Sequence, residues 1–422
     1  MKRVAITGLG AVTPVGNDAA STWDSLVAGR SGVGPIQTFP AETFPVRIAG
    51  MVRGFDVSPY LPDREMGRHL SRGAGFGIGA TVQALADAKV RPDTYHPDER
   101  GVAMGGTVGR PDLQELADIS YVVKSSERRV LARQAPSGVL LRDQNVAMAT
   151  MARIADCQGP MVSVSTACTA SCHAIGEAFR LVQEGDAKLM IAGGYDALTT
   201  WFDVIGFGLL GALTKEFADE PARASRPFDK ERAGFVLGEG AVAVILEEWE
   251  AAKERGAPIY AELVGYGSSM NAYRMTDPPP DGGGVSLAME NALGDGGVRP
   301  DEVQYVVAHG TGTAGNDICE TVAIKQVFGD HARKVAISSP KSMTGHLTSA
   351  AGGLNFLAAV GAIRDQVVPP TINLEHPDPK LDLDYVPNSA RRMPVRTVLV
   401  NAFAFGGTNA CLTVRHPELR EG

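Results

Sequence analysis

The stretch STACTASCHAIG, residues 165–176, places Cys168, Cys172 and His173 within six residues. A metal site, a disulfide and a single thiol nucleophile are the chemistries to weigh. On a helix Cys168 and Cys172 share a face at i and i+4, but His173 points about 100° away from Cys172, and no second cysteine pair follows to complete a zinc set. A disulfide between i and i+4 of one helix has poor geometry. The third reading starts from an apolar strand, MVSVS, a turn of small residues and a helix beginning at or just after Cys168. A thiol at such an elbow lies near a helix N-terminus, where the macrodipole and free N–H groups lower its pKa. Cys168 is therefore a candidate nucleophile, with a buried structural thiol as the alternative. Cys172, one turn deeper, reads as packing.

A nucleophilic thiol needs partners, and two of the eight histidines stand out. In VVAHGTGTAGND, residues 306–317, an apolar strand ends in His309 and a glycine-rich turn, the same placement as Cys168. In ISSPKSMTGHLTSAAG, residues 337–352, Lys341 and His346 fall at another strand-to-helix junction. NAFAFGGTN, residues 401–409, sets a glycine pair after Phe405. Such a loop can turn backbone N–H groups toward a reacting carbonyl, as an oxyanion hole does, although glycine pairs are also common in plain turns.

The elements that must position these groups alternate. Val4–Ile6 reads as a strand ended by the turn GLG, and 21–29 as a helix with Trp23, Leu26 and Val27 on one face. A small-residue helix over 71–90 precedes the strand Val102–Met104. Further strands are expected at 161–164, 189–192, 242–246, 259–264, 303–308, 335–337 and 398–400, with helical stretches between them. This alternation favours an α/β fold with buried sheets. The best divide lies near residue 250, where GAVAVILEE runs into a charged helix; the two halves carry similar elements without a clear sequence repeat. PPPDGGG, residues 278–284, reads as a shaped loop.

The chain has 422 residues, 44% hydrophobic and 21% charged, with a formal charge of −8. These values fit a soluble globular protein and argue against nucleic acid or an anionic membrane as the main partner. No stretch approaches a membrane span, and MKRVAITGLGAV reaches Gly8, Gly10 and Pro14 before any apolar run suited to a signal peptide, so a cytoplasmic location is expected. Five cysteines, an odd and scattered set, read as thiols.

Together TACTAS, HGTGTAGND, KSMTGH and FAFGGTN, in this order, resemble the elongating β-ketoacyl-acyl carrier protein synthases, a group that includes the ketosynthases of dissociated (type II) polyketide assembly. The resemblance runs from VAITGLGAVTPVGN through SRPFDKERAGFVLGEGA and VPPTINL to the C-terminal loop. It implies a thiolase fold in which residues 1–250 and 251–422 form similar halves of a five-layer αβαβα arrangement. It also implies a homodimer, or a heterodimer with a chain-length factor. No cofactor would be bound by the enzyme itself; the substrates would arrive on the phosphopantetheine of an acyl carrier protein. Cys168 would take the acyl chain as a thioester, and malonyl would lose CO2 and attack it. His309 and His346 would stabilise the enolate, while the N–H groups of Cys168 and Phe405 would hold the acyl oxyanion. Lys341 would pair with Glu320, with Asp317 as a further support, and Thr311 and Thr313 would bind the pantetheine arm. Phe405 would gate the acyl chain; Phe403 reads equally as packing.

Two stretches depart from the fatty-acid pattern. Residues 132–145 place Arg142 and Asp143 where a saturated chain would expect apolar neighbours, and 199–214, TTWFDVIGFGLLGALT, is bulky. A shorter pocket, or one for an oxygenated or unsaturated chain, would follow, so polyketide assembly stands beside fatty-acid elongation. A thiolase would carry a second catalytic cysteine where Phe405 stands. A non-catalytic chain-length partner would lack Cys168. The turns GLGAVTPVG and LGEGAV do not complete a dinucleotide fingerprint.

Overall fold

The computed structural model describes residues 1–107 and 144–420; Arg142 and Asp143 lie outside them. Ten strands form one hydrogen-bonded sheet. Five come from the first half: β1 (Val4–Val12), β2 (Arg100–Gly106), β3 (Met161–Val164), β4 (Leu189–Asp196) and β5 (Gly240–Glu248). Five come from the second: β6 (Ala261–Met270), β7 (Tyr305–Val307), β8 (Ala336–Ser338), β9 (Thr397–Phe403) and β10 (Thr408–Arg415). Their spatial order is β8-β7-β9-β10-β6-β1-β5-β4-β2-β3. Read outward from the β1–β6 seam, each half runs first, fifth, fourth, second, third strand, with parallel outer pairs and antiparallel inner ones. The seam itself is a short antiparallel pairing of Val4–Ile6 with Ala261–Leu263. The halves share a topology that the sequence repeats too weakly to show.

The helices follow the same duplication. The first half inserts α1 (Arg72–Asp87), α2 (Gln144–Ala155) and α3 (Ala170–Glu184); the second inserts α4 (Gly283–Asp295), α5 (Ala314–Phe328) and α6 (Ala351–Asp365). Helices α3 and α6 pack against each other and touch strands of both halves, α1 and α2 cover the outside of the first half, and α4 and α5 cover the second. This is the five-layer αβαβα arrangement of the thiolase fold. Every strand face is covered, so alternate residues serve different cores: Val242, Val244 and Leu246 face the central helices, and Ala241, Ala243 and Ile245 face α1. Continuous apolar runs result, rather than the alternation of a half-solvated sheet.

The GLG segment departs from expectation. It is not a turn but the middle of β1, which continues to Val12. A Cβ on Gly8 would sit 2.3 Å from the carbonyl oxygen of Ala84, and one on Gly10 1.9 Å from that of Ala80. The glycines let α1 lie directly on the strand, a close approach that a turn-based reading of Gly misses. Among the described residues no helix is long and apolar enough to cross a membrane.

Candidate active site

Strand β3 ends at Val164, a turn of 3₁₀ helix spans Ala167–Thr169, and α3 begins at Ala170, so Cys168 stands at the elbow between strand and helix. Ala167 holds φ +49°, in the left-handed region that a side chain enters at a cost. The second half repeats the device after β8: Thr348–Ala350 form the 3₁₀ turn before α6, and Thr348 has φ +45°. The topological counterpart of the Cys168 elbow is therefore Thr348–Ser349. His309 follows β7, the counterpart of β2, so its placement is not that of Cys168. The two elbows meet because small residues line them. The amide of Gly353 donates to Ser171 Oγ at 2.8 Å, and a Cβ on Gly352 would come within 2.6 Å of the Cys172 sulfur. Cys172 is buried in this crossing. His173 turns away, its ring held between the Thr166 hydroxyl at 2.8 Å and that of Ser268 at 3.1 Å. Among the described residues no group of three or more His, Cys, Asp and Glu could hold a metal.

The electrostatics of Cys168 reverse one expectation. The backbone N–H groups of Cys168 and Phe405 and the charge of Lys341 all favour the thiolate, yet burial outweighs them and pushes the thiol up to about 12. The carboxylate of Asp196 adds to that rise. A helix N-terminus lowers a thiol's pKa only as far as desolvation allows.

His309 and His346 are both buried, with ring centroids 5.4 Å apart and planes at 81°. The backbone N–H of Thr348 donates to His346 Nδ1 at 3.1 Å. A backbone amide can only donate, so the His346 proton sits on Nε2. Lys341 Nζ donates to the His309 carbonyl at 2.6 Å and stands 3.5 Å from His309 Nδ1, which favours the same tautomer. Burial first, and then the charge of Lys341, hold both imidazoles well below the usual histidine range. They are neutral rings, each with an N–H to offer. Burial also draws Lys341 down to about 8, against the opposing pull of Glu320.

Lys341 and Glu320 do not form the expected contact pair; they act on each other from opposite sides of the His309 loop. The Glu320 carboxylate accepts the N–H groups of His309 and Gly310, both at 2.8 Å, and the Asn401 amide at 3.0 Å. Asp317 accepts from Thr311 N at 3.1 Å, Gly312 N at 3.2 Å and Phe228 N at 2.8 Å. Two buried acids thus fix the loop from beneath, and burial raises the pKa of both. The hydroxyls of Thr311 and Thr313 meet at 2.8 Å.

Cys168, His309, His346, Thr311, Thr313, Phe403 and Phe405 all line one pocket of about 630 Å³, measured out to its open mouth. Gly406 and Gly407 hold φ +85° and +79°, so the turn after Phe405 needs both glycines. Edge-on aromatic contacts run along one wall from Phe207 to Phe235 to His346, and a tilted contact joins His309 to Phe403. Phe207 belongs to the helix Trp201–Leu209, inside the bulky stretch noted above, and it enters the pocket. Sequence reasoning gave no role to Phe235, Asn316 and Thr348, although each lies within a stretch quoted above, and it missed the segment 271–278, which carries no motif and reaches the pocket through tertiary folding.

Known proteins bear on this geometry. Residues 1–252 match the N-terminal domain model of β-ketoacyl synthases and residues 260–375 the C-terminal one. The chain belongs to the β-ketoacyl synthase family. A 3-oxoacyl-(acyl-carrier-protein) synthase 2 of Synechocystis sp. is 45% identical over 414 residues, 98% of each chain. A protein of the same name from Vibrio harveyi is 42% identical over 415 residues, again 98% of each. Among solved structures, a type II polyketide ketosynthase, bound to a hexaketide in complex with its acyl carrier protein, gives a TM-score of 0.89 at 34% identity. That match covers 98% of this chain and 99% of the other. A β-ketoacyl synthase from Burkholderia phymatum also gives 0.89, at 33% identity, covering 99% of this chain and 100% of the other.

Proposed function

We propose that this family member is an acyltransferase that condenses malonyl-acyl carrier protein with an acyl group held on Cys168, adding two carbons per turn in fatty acid biosynthesis. The observation that carries the reading is that one pocket presents the Cys168 thiol, two backbone N–H groups beside it and two neutral imidazoles. The sulfur attacks the carrier-bound acyl thioester, the carbonyl oxygen takes negative charge between the N–H groups of Cys168 and Phe405, and the carrier thiol leaves with a proton. Malonyl then enters. Its C–C bond to the carboxylate breaks, CO2 departs, and the Nε2–H groups of His309 and His346 meet the enolate oxygen. The enolate carbon attacks the acyl thioester, the new C–C bond forms, and sulfur leaves as thiolate and takes a proton from solvent in place of the one lost to the carrier thiol. No bound cofactor enters this scheme; Thr311 and Thr313 offer hydroxyls to the phosphopantetheine arm.

Full-length relatives named 3-oxoacyl-(acyl-carrier-protein) synthase 2 support the fatty-acid assignment. The second reading, the ketosynthase of a type II polyketide system, draws on the hexaketide-bound neighbour and on the bulky Phe207 that lines the pocket. Either way the partners are an acyl carrier protein and a second chain, in the cytoplasm. Strand β3 ends the sheet with Met161 53% exposed, an edge suited to pairing with that chain.

Intact-mass spectrometry with saturated and polyene acyl carriers, followed by malonyl carrier, tests the reading. Loading of saturated chains and two-carbon extension supports fatty-acid condensation. Loading only of unsaturated chains, or only with a second subunit, moves the chain to polyketide assembly. His309→Ala and His346→Ala should each slow CO2 release by about 10²–10³-fold and acyl loading far less; equal losses in both steps would sink the role assigned to the histidines.

A further inference from the structure

Asp196, at the end of β4, is 4% exposed and touches no reacting atom of the scheme above; its only effect there is the charge it adds against the Cys168 thiolate. Its Oδ2 accepts three hydrogen bonds: from Thr348 Oγ1 at 2.6 Å, from the Ser349 N–H at 3.1 Å and from Thr107 Oγ1 at 2.9 Å. Its Oδ1 accepts the N–H of Ala197 at 3.1 Å. Two of the three donors on Oδ2 belong to the second elbow, and they flank the backbone of Thr348, the residue held at φ +45°. A threonine in the left-handed region stays there only when its surroundings compel it. The carboxylate does so by taking the hydroxyl of Thr348 and the next N–H at one oxygen. The same residue's own N–H is what His346 Nδ1 accepts.

We infer that Asp196 is a positioning residue: by clamping Thr348 in its left-handed conformation it aims the Thr348 N–H at His346 Nδ1 and so keeps the His346 proton on Nε2, facing the pocket. This rests on the condensing role proposed for His346. If the clamp loosens, Thr348 relaxes toward negative φ, its N–H swings off the ring, and the imidazole loses the contact that selects one tautomer. The first half has no equivalent need, because Cys168 occupies its elbow and uses its own N–H directly. Burial raises the pKa of the Asp196 carboxyl, while the donors around it oppose that rise. It touches no reacting atom.

The test is histidine-selective ¹⁵N NMR of the full chain, with His346 assigned by its own substitution, alongside separate rates for acyl loading and CO2 release. Asp196→Asn presents an NH2 group where an acceptor stood and should let protonated Nδ1 of His346 become visible. CO2 release should slow by about 10- to 100-fold while acyl loading is not slowed, since one enolate donor is compromised rather than deleted and loss of the carboxylate's charge only eases ionisation of Cys168. Thr348→Val removes one donor to the carboxylate at nearly constant volume and should shift the tautomer the same way to a smaller extent, which keeps the test open if Asp196→Asn folds poorly. In a Thr348→Gly background, where positive φ costs nothing, adding Asp196→Asn should have little further effect; multiplicative losses there would overturn the inference. So would a wild-type tautomer in both Asp196→Asn and Thr348→Val, whatever their activity. A wild-type protein that released no CO2 from malonyl carrier would overturn the condensing function, and the tautomer shift would still decide the role of Asp196.

Discussion

Lys341 Nζ lies 2.6 Å from the carbonyl oxygen of His309 and 3.5 Å from its Nδ1, so a single buried cation holds both the backbone and the ring of one pocket histidine. The same charge favours the thiolate of Cys168 and disfavours the imidazolium of His309 and His346. A cation in the middle of the site therefore helps keep both imidazoles neutral, and at Cys168 it opposes the rise that burial imposes without overcoming it.

The pH dependence of decarboxylation follows from that relationship. Burial lowers Lys341 to about 8, so the charge is present below that pH and lost as pH rises through it. CO2 release from malonyl carrier should fall above about pH 8 as the ammonium's grip on His309 weakens. In Lys341→Met this descending limb should disappear and the rate should be low throughout, by about 10²-fold. A wild-type rate still rising at pH 9.5 would refute this role of Lys341.

Cys168 should behave as a thiol whose reactivity is created during the reaction. With its pKa pushed up to about 12, the thiolate fraction climbs by about tenfold per pH unit across the neutral range and reaches no plateau there. Iodoacetamide alkylation of Cys168, followed by intact mass, should track pH in that way. Cys168→Ala should keep the thermal midpoint and accept no acyl group. An alkylation plateau near pH 7 would mean that the N–H groups and Lys341 overcome burial after all.

The candidate pocket was legible in the sequence because it is built from short contiguous runs: each of TACTAS, HGTGTAGND, KSMTGH and FAFGGTN lies at the end of a strand and carries a side chain into the one pocket. The positions of β1 to β9 were legible for a related reason, since sheets buried on both faces leave unbroken apolar runs; β10 was not among the strands expected. What could not be read were relationships between runs. The elbow at Thr348 is the twin of the one at Cys168, yet Ala167 and Thr348 share only a backbone angle, which no residue type announces. The family resemblance set Lys341 on Glu320; the fold instead gives the carboxylate three N–H donors and sends the ammonium to a carbonyl. Gly8 and Gly10 looked like turn residues because the helix that needs their missing side chains lies some seventy residues away.

Those two glycines give a stability expectation. A methyl group at residue 10 would overlap the Ala80 carbonyl oxygen at 1.9 Å, and neither β1 nor α1 can shift without disturbing the sheet seam. Gly10→Ala should cost about 1–3 kcal/mol, the usual penalty for overpacking a core, and calorimetry should show a lowered thermal midpoint. Gly206→Ala, where the built Cβ meets nothing within 4 Å, serves as the control and should leave the midpoint nearly unchanged.

Phe207 offers the clearest handle on chain length. It lines the pocket alongside Cys168 and stands edge-on to Phe235 at 5.9 Å, and Phe235 in turn meets His346 at 5.2 Å. An acyl chain on Cys168 that runs along this wall should meet the Phe207 ring, and ring volume there should limit how much chain fits. Phe207→Ala should widen the range of chains loaded on Cys168 toward longer ones, at some cost in stability because Phe235 loses an aromatic neighbour. Removing Phe235 instead should harm CO2 release as well, because that ring packs directly on His346. Intact-mass loading profiles over a saturated series from short to long read the difference. An unchanged profile in Phe207→Ala would place the length limit elsewhere along the pocket.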